Sequence, residues 1–507
     1  MALFLGLDIG TSGTKAIVIN EKGQVVTKAT IEYAIPFSTP KPLWAEHDPA
    51  QWTDATVRAI KKVLSDKGVS AATIAAVGLT GQMHGLVALD SKNNVIRPCI
   101  MWNDQRTQAQ CDALTASVGR EHILKITGNP VLPGFTSPKI LWMKDQEPDN
   151  YKRIAKILLP KDYIRWFLSG EYFSDVSDAS GTGLLDVSAR RWSDEMVRAV
   201  GLTMNALPTV EESPVVTTKV SSSAATITGL LAGTPIVGGG GDQAAQAVGA
   251  GIVREGLTSA TLGTSGVVFA ASDAYRVEPA GRLHAFCHAV PGKWHLMGVM
   301  LSAAGSFKWY KDALCAEETA AAAVAGDDVY DQLTRSASSI EPGSEGLFFL
   351  PYLSGERAPH PDPDARGAYI GLTLRHRKAH LSRATLEGIT FGMNDILGLM
   401  REIGVVSTEI RASGGGANSA FWLKLLADIF NSRIATVNVS EGAAYGAAVL
   451  ASVGAGAYKT VESAADAMVS VTTRLDPEPT TVKVYSSTYQ RYRALYPLLK
   501  DWFRGEA

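Results

Sequence analysis

The sequence predicts two related α/β domains, and three observations carry that prediction. The chain has 507 residues, enough for two or more domains at roughly 100–200 residues each. Short apolar runs bounded by glycine-rich turns alternate with stretches of helical spacing. The opening pattern of strand, Gly-Thr-Ser-Gly turn and strand then recurs: Leu5 to Asn20 reads LGLDIGTSGTKAIVIN, and Leu257 to Ala271 reads LTSATLGTSGVVFAA. The boundary is expected near residues 250–258, giving an N-terminal domain of 1–252 and a C-terminal domain of 253–507.

The elements follow in order. Residues 2–20 read as strand, tight turn, strand. A helix is expected from Asp48 to Ser65, with Pro49 at its first turn behind an Asp cap. AAVGLTG is a short buried strand and IRPCIM another. Residues 102–118 have a polar-faced helical pattern, and 161–169 a short amphipathic one. Residues 211–225 read as loop and surface strand. TPIVGGGGD is a strand ending in four glycines and Asp242, followed by the small-residue helix QAAQAVGAG. In the second half, helices are expected near 317–325, 382–400 and 486–503. RASGGGANSAFW is a glycine-rich turn entering a helix, and EGAAYGAAVLASVGA a small-residue helix.

Composition excludes several functions. The formal net charge is -2 and no Lys/Arg block occurs, which argues against a general nucleic-acid binder. No apolar run is long enough to cross a bilayer, and the first residues lack a basic stretch before their apolar run, so the chain is expected in the cytoplasm. The four cysteines, Cys99, Cys111, Cys287 and Cys315, form no Cys-x-x-Cys pair and read as free thiols. His284, Cys287 and His288 lie in LHAFCHAV, an apolar strand pattern without a fourth ligand at zinc-like spacing.

Phosphate binding needs inward-pointing backbone N–H groups uncrowded by side chains. Gly10, Thr11, Ser12, Gly13 and Thr14, followed by Lys15, form one such turn; Gly263, Thr264, Ser265 and Gly266 form another. Neither is a Walker loop, because the sole Gly-Lys pair, Gly292-Lys293, precedes Trp294. No Asp-Phe-Gly occurs, and the glycine run at Gly238 does not spell a dinucleotide fingerprint. Asp8 ends the first strand beside the first turn, where a carboxylate holds Mg²⁺ against phosphates or caps the turn. Asp242 stands at a strand end with backbone space cleared around it, placed to take a hydroxyl proton or to cap a helix. Gly414, Gly415 and Gly416 with Asn418 let a flat ring or a phosphate lie on the backbone, or pack a helix closely on a strand. Gln82, Met83 and His84 follow one strand, and Trp102, Asn103 and Asp104 another. Together they form a cradle for a polyol.

These motifs occur in a fixed order: DIGTSGTK, GQMHG, WNDQRT, LLPKDYIRWFLSGEY, GGGDQAAQAVG, LGTSGV, FLPYLSGERAPH and SGGGANSAFW. In that order they resemble the FGGY carbohydrate kinases, from about residue 3 to about residue 450. The resemblance implies two actin-like (ribonuclease H-like) α/β domains around a cleft, with ATP and Mg²⁺ acting on a small-molecule sugar. It implies Asp242 as catalytic base, Met83 and His84 as the sugar-contacting pair, and Asp8 as the metal-side carboxylate. The turns at 10–14 and 263–266 match the two phosphate loops, and Gly415, Gly416 and Asn418 the nucleotide segment. Gln243 departs from the Asn expected after the base. Relatives are often homodimers.

Overall fold

The computed structural model describes residues 2–35 and 37–505. In the first half the chain forms β1 (Leu3–Ile9), β2 (Gly13–Asn20), β3 (Val25–Glu32), α1 (Pro49–Leu64) and β4 (Ile74–Gly81). The helices α2 (Thr136–Gln146), α3 (Pro160–Ser169) and α4 (Val176–Ser180) come next. β5 (Val216–Lys219), β6 (Pro235–Val237), β7 (Gly240–Gly241) and α5 (Asp242–Gly249) end this half. The seven strands make one sheet in the order β5-β6-β4-β1-β2-β3, with β7 pairing on β4 beyond β6. β1 runs antiparallel to β2 and parallel to β4.

The second half repeats this plan. β8 (Leu257–Leu262), β9 (Gly266–Ser272), β10 (His284–Cys287) and β11 (Trp294–Met300) precede α6 (Ala304–Leu314) and α7 (Lys378–Glu402). Then come β12 (Glu409–Ser413), α8 (Ala420–Phe430), β13 (Ile434–Val437), α9 (Ala443–Gly454), β14 (Val471–Leu475) and α10 (Pro479–Phe503). The order β10-β11-β9-β8-β12-β13-β14 has β8 antiparallel to β9 and parallel to β12, as β1 is to β2 and β4.

Local chemistry explains the elements. Asp48 caps α1 by accepting from Ala50 N at 2.9 Å, Pro49 fits its first turn, and Trp52, Ala59, Ile60 and Val63 bury against the first sheet. Residues 102–107 are turns and the helix begins at Gln108, later than the polar pattern predicts. The reason is Asp104, whose carboxylate accepts from Ala45 N (2.6 Å) and Arg106 N (3.0 Å) and holds the chain in a turn. The stretch 211–225 supplies the edge strand β5 and, behind the Ser221 cap, a helix from Ser222 to Thr228.

The halves share a seam. α9 comes from the second half of the sequence, yet its apolar residues join Phe4, Ile17 and Ala76 of the first sheet and Val248 of α5 in one core. α5 and α9 cross so closely that a Cβ on Gly446 would collide with the carbonyl oxygen of Ala245. Lys15 of β2 reaches the carboxylate of Glu441, just ahead of α9, at 2.6 Å.

Candidate active site

Sheet register brings the first carboxylates together. Asp8 lies beside Thr80 across the β1–β4 pair, and Thr80 lies beside Gly240 across β4–β7. Two strand spacings, about 10 Å, therefore separate the backbones at Asp8 and Gly240. Asp242 follows at the first turn of α5, and Gln82 to His84 leave the end of β4 between them. The bend that aims Asp242 is made at Gly239, which has φ +74 and leaves no room for a Cβ against the Leu79 carbonyl.

Asp242 does not cap its helix: Gly241 occupies the cap position, with no side-chain capping bond. Its Oδ1 accepts from Gln243 N at 2.7 Å. Burial and then the nearby Asp8 charge push its pKa up to about 7. The Asp8 carboxyl is pushed up to about 6 by burial, against the pull of Lys15. Neither carboxylate has an ion-pair partner among the described residues.

The backbone carrying Asp242 rests on buried charge. Arg165 of α3 donates to the carbonyls of Val237 (2.7 Å) and Gly238. Gly241 N donates to Ser177 Oγ at 3.1 Å, and Ser177 Oγ donates to Asp175. Lys161 closes the cluster, 2.9 Å from Asp175, 3.2 Å from Asp178 and in contact with Asp162, all fully buried.

His84 is the best-defined part of the cradle. It has φ +68, an uncommon conformation for a non-glycine residue. Its Nδ1 lies 2.6 Å from the Gly181 carbonyl, so Nδ1 carries the proton and Nε2 is left as an acceptor. Burial lowers its pKa to about 3, keeping the ring neutral. Phe135 stacks on it at 4.6 Å. Lys139 of α2, fully buried, fixes the surroundings by donating to the carbonyls of His84 (2.8 Å) and Gly134 (2.7 Å). Met83 packs behind Gly241, where a Cβ would meet its Sδ at 2.9 Å.

The first glycine turn is tied to the cradle. Gly10 N donates to Gly13 O at 3.0 Å, Gln82 Nε2 donates to Gly10 O at 3.2 Å, and Trp102 Nε1 donates to Thr11 Oγ1 at 3.1 Å. Thr11 and Ser12 stand at the open side. Thr14 is buried, its hydroxyl 3.0 Å from Tyr33 Oη, so it braces the turn from behind. The Lys15 ammonium is engaged with Glu441. Asp104 is not brought to the cradle: it is fully buried and bound to Arg106 Nε and Nη2. Asn103 is half-buried, with an unpartnered Oδ1.

The second turn belongs to a separate cavity of about 420 Å³. Gly263 and Thr264, with Gly415, Gly416 and Asn418, form its polar wall; Phe307, Tyr330 and Trp422 form its apolar wall. Ala303 N and Gly305 N both donate to Thr264 O, at 2.9 and 3.1 Å, fixing this turn on α6. Ser265 is half-buried and does not line the cavity. A larger cavity of about 860 Å³ opens between the halves, lined by His84, Trp102 and Phe135 on one side and Met297, Glu356 and Arg357 on the other.

Sequence reasoning missed Lys139, Phe135, Ser177 and the aromatic wall at 307, 330 and 422. It also gave no role to Lys161 and Arg165, which lie in LLPKDYIRWF, or to Glu356 and Arg357, which lie in LSGERAPH, because nothing local tells which carbonyl or cavity a side chain will meet.

A duplicated β-sheet fold with a glycine turn after the first strand of each sheet, and a raised carboxylate at a neighbouring strand end, has the parts a phosphotransferase needs. The N-terminal domain of the FGGY family of carbohydrate kinases matches residues 3–249, and its C-terminal domain matches residues 258–455. The chain belongs to the FGGY family of carbohydrate kinases, with an actin-like fold and ATP as co-substrate. It is 40% identical to the xylulose kinase of Escherichia coli (strain K12), over 98% of this chain and 99% of that one. It is 36% identical to the xylulose kinase of Bacillus subtilis (strain 168), over 99% and 98%. A solved xyloylose kinase structure from Brucella ovis superposes with a TM-score of 0.89 at 40% identity, covering 99% of this chain and 100% of that chain. No helix among the described residues is long and apolar enough to cross a membrane.

Proposed function

We propose that this kinase transfers the γ-phosphoryl group of ATP to the O5 hydroxyl of D-xylulose, giving D-xylulose 5-phosphate and ADP. The observation that carries the reading is Asp242. It is a half-buried carboxylate pushed up to about 7, on the far side of the Met83–His84 strand end from Asp8 and the first glycine turn. A base whose pKa lies near the working pH serves proton transfer best. Full-length similarity to xylulose kinases supports the choice of sugar.

In the reaction, Asp242 accepts the O5 proton as that oxygen bonds to the γ-phosphorus and the bond to the bridging oxygen of ADP breaks. His84 Nε2 accepts a hydrogen bond from a sugar hydroxyl, and the Trp102 face closes one side of the ring of contacts. The nucleoside lies in the cavity of Phe307, Tyr330 and Trp422 against Gly415 and Gly416. Its phosphates run between the N–H groups of the 10–13 and 263–265 turns. Asp8 fits a divalent cation: it is half-buried, raised in pKa, and faces the like charge of Asp242. No group of three or more His, Cys, Asp or Glu able to hold a metal ion occurs among the described residues, so phosphate oxygens and water would complete the shell. Bound there, Mg²⁺ would neutralise phosphate charge.

The test is ADP release with ATP and Mg²⁺ across D-xylulose, D-ribulose, L-ribulose, gluconate and glycerol. A selective rise with D-xylulose is expected. A rise with another member alone would replace the substrate and leave the roles of Asp242 and the two turns standing.

A further inference from the structure

The wall of the large cavity facing His84 and Trp102 belongs to the second half of the chain and carries two charged neighbours, Glu356 and Arg357. Glu356 is 4% exposed. Its Oε1 accepts from Leu301 N at 2.9 Å and from Arg357 N at 2.7 Å, which locks the side chain in place. Its Oε2 is buried with no hydrogen-bond partner. Such a carboxylate oxygen is costly to leave unpaired. The Arg357 guanidinium makes no ion pair or side-chain hydrogen bond among the described residues, yet its charge reaches both His84 and His284 across the cavity. An unengaged five-donor fork, its backbone locked by a buried carboxyl, stands opposite a neutral imidazole acceptor and an indole face, a polar vice of the kind a polyhydroxylated ketone fills.

We propose that Arg357 is a sugar-contacting residue and Glu356 its positioning residue, together the second half's contribution to the ketose site. Arg357 holds the carbonyl end of the sugar, remote from the hydroxyl that Asp242 deprotonates. Asp242 does not border this cavity, whereas Glu356, Arg357 and His84 do, so a sugar spanning the two meets Asp242 at one end and the vice at the other. Arg357 donates to the ketone or the adjoining hydroxyls, and Glu356 holds the backbone of Leu301 and Arg357 from which that guanidinium reaches into the cavity. Because the two walls come from different halves, the sugar itself draws them together, which ties acceptor binding to closure around the phosphates. This inference rests on the sugar-kinase reading above.

The test is steady-state kinetics of Arg357→Met and Glu356→Gln with each substrate varied in turn. Arg357→Met removes only an unengaged head group, so the fold should hold, and circular dichroism checks that. The KM for the sugar should rise about 10- to 100-fold, the usual loss for a hydrogen bond to a charged group, with the ATP KM within about twofold. Arg357→Lys should recover part of the loss. Glu356→Gln keeps an amide oxygen for Leu301 N and Arg357 N and should leave the sugar KM within about threefold, whereas Glu356→Ala frees both backbone donors and should raise it by about 3- to 10-fold. An unchanged sugar KM in Arg357→Met, or an ATP KM that rises equally, would overturn the proposal. Should the wild-type protein phosphorylate a different sugar, D-xylulose falls as substrate and the same kinetics with that sugar still decide the role of Arg357.

Discussion

At the end of β1 the chain places Asp8 two residues ahead of its glycine turn; at the end of β8 the matching position is Thr261. Beyond β4 it places Gln82, Met83 and His84; beyond β12 it places Gly414, Gly415 and Gly416. The helix after β7 begins with Asp242, and the helix after β13 begins with Ala443. The two sheets thus present the same strand ends, but at these matched positions it is the first half that bears carboxylates. The second offers hydroxyls and bare backbone, including Thr261 and Ser413, whose oxygens lie 3.1 Å apart. The difference follows from what each half must hold. Nucleotide phosphates are repelled by carboxylates and welcomed by N–H groups, whereas a sugar hydroxyl must lose a proton to something. One scaffold used twice becomes an enzyme through the asymmetry of a few side chains.

The most direct way to break that asymmetry is Asp242→Ala. Turnover should fall by roughly 10²- to 10⁴-fold, with sugar binding by calorimetry retained in part. Near-normal turnover would remove Asp242 from the mechanism.

The first half also differs in needing buried charge to hold its catalytic backbone. Lys161→Met would leave Asp162, Asp175 and Asp178 without their shared cation, and burial already raises the Asp178 pKa well above the usual carboxylate range. A loss of about 3–5 kcal/mol in urea unfolding is expected, as for other half-broken buried pairs. A variant as stable as the parent would mean the cluster does not support the Gly238–Gly241 bend.

The seam can be tested at Gly446→Ala. The added methyl meets the Ala245 carbonyl, so α5 and α9 must part, and a cost of about 1–3 kcal/mol is expected. Thermal melting unchanged from the parent would show that the helices have slack there.

The smallest effect should come from His288, which ties the second sheet to the linker between the halves. Its Nε2 donates to Ile252 O (2.9 Å) and its Nδ1 accepts from Val290 N (3.0 Å), so the folded protein needs the neutral ring. Burial lowers its pKa to about 3. The unfolded chain therefore binds a proton below pH of about 6.5 that the folded chain does not, and stability falls from there down to about 3. Between pH 7.5 and 5.5 the loss should be on the order of 1 kcal/mol. His84, His284 and His295 are lowered by burial in the same way, so His288→Gln should lessen the slope of the urea-midpoint profile there by one histidine's share, and an unaltered slope would clear His288 of the acid response.

Much of this was legible in the sequence. The two glycine turns, Asp8, Asp242 and the helix at 49–64 are local patterns, in which a few residues specify their own backbone. The expected helix from residue 102 was shortened because Asp104 found a tertiary partner in Ala45 N and a turn partner in Arg106. Asp104 looked like a sugar ligand for the same reason that it is not placed as one: a carboxylate near a strand end is equally suited to a buried arginine. Glu356 and Arg357 stand about 270 residues from His84 in the chain, a separation at which no periodicity or cap carries information.

By itself, then, the sequence determined the strand-turn-strand units, the repetition that predicts two like domains, and the residue types able to bind phosphate and take a proton. Each depends on backbone preferences within a few residues. Tertiary structure alone decided that α9 returns to the first sheet, that Lys161 and Arg165 brace the bend before Asp242, and that the cavity has a charged second wall. Those depend on sheet register and helix packing, which fix distances between residues that share no local signal.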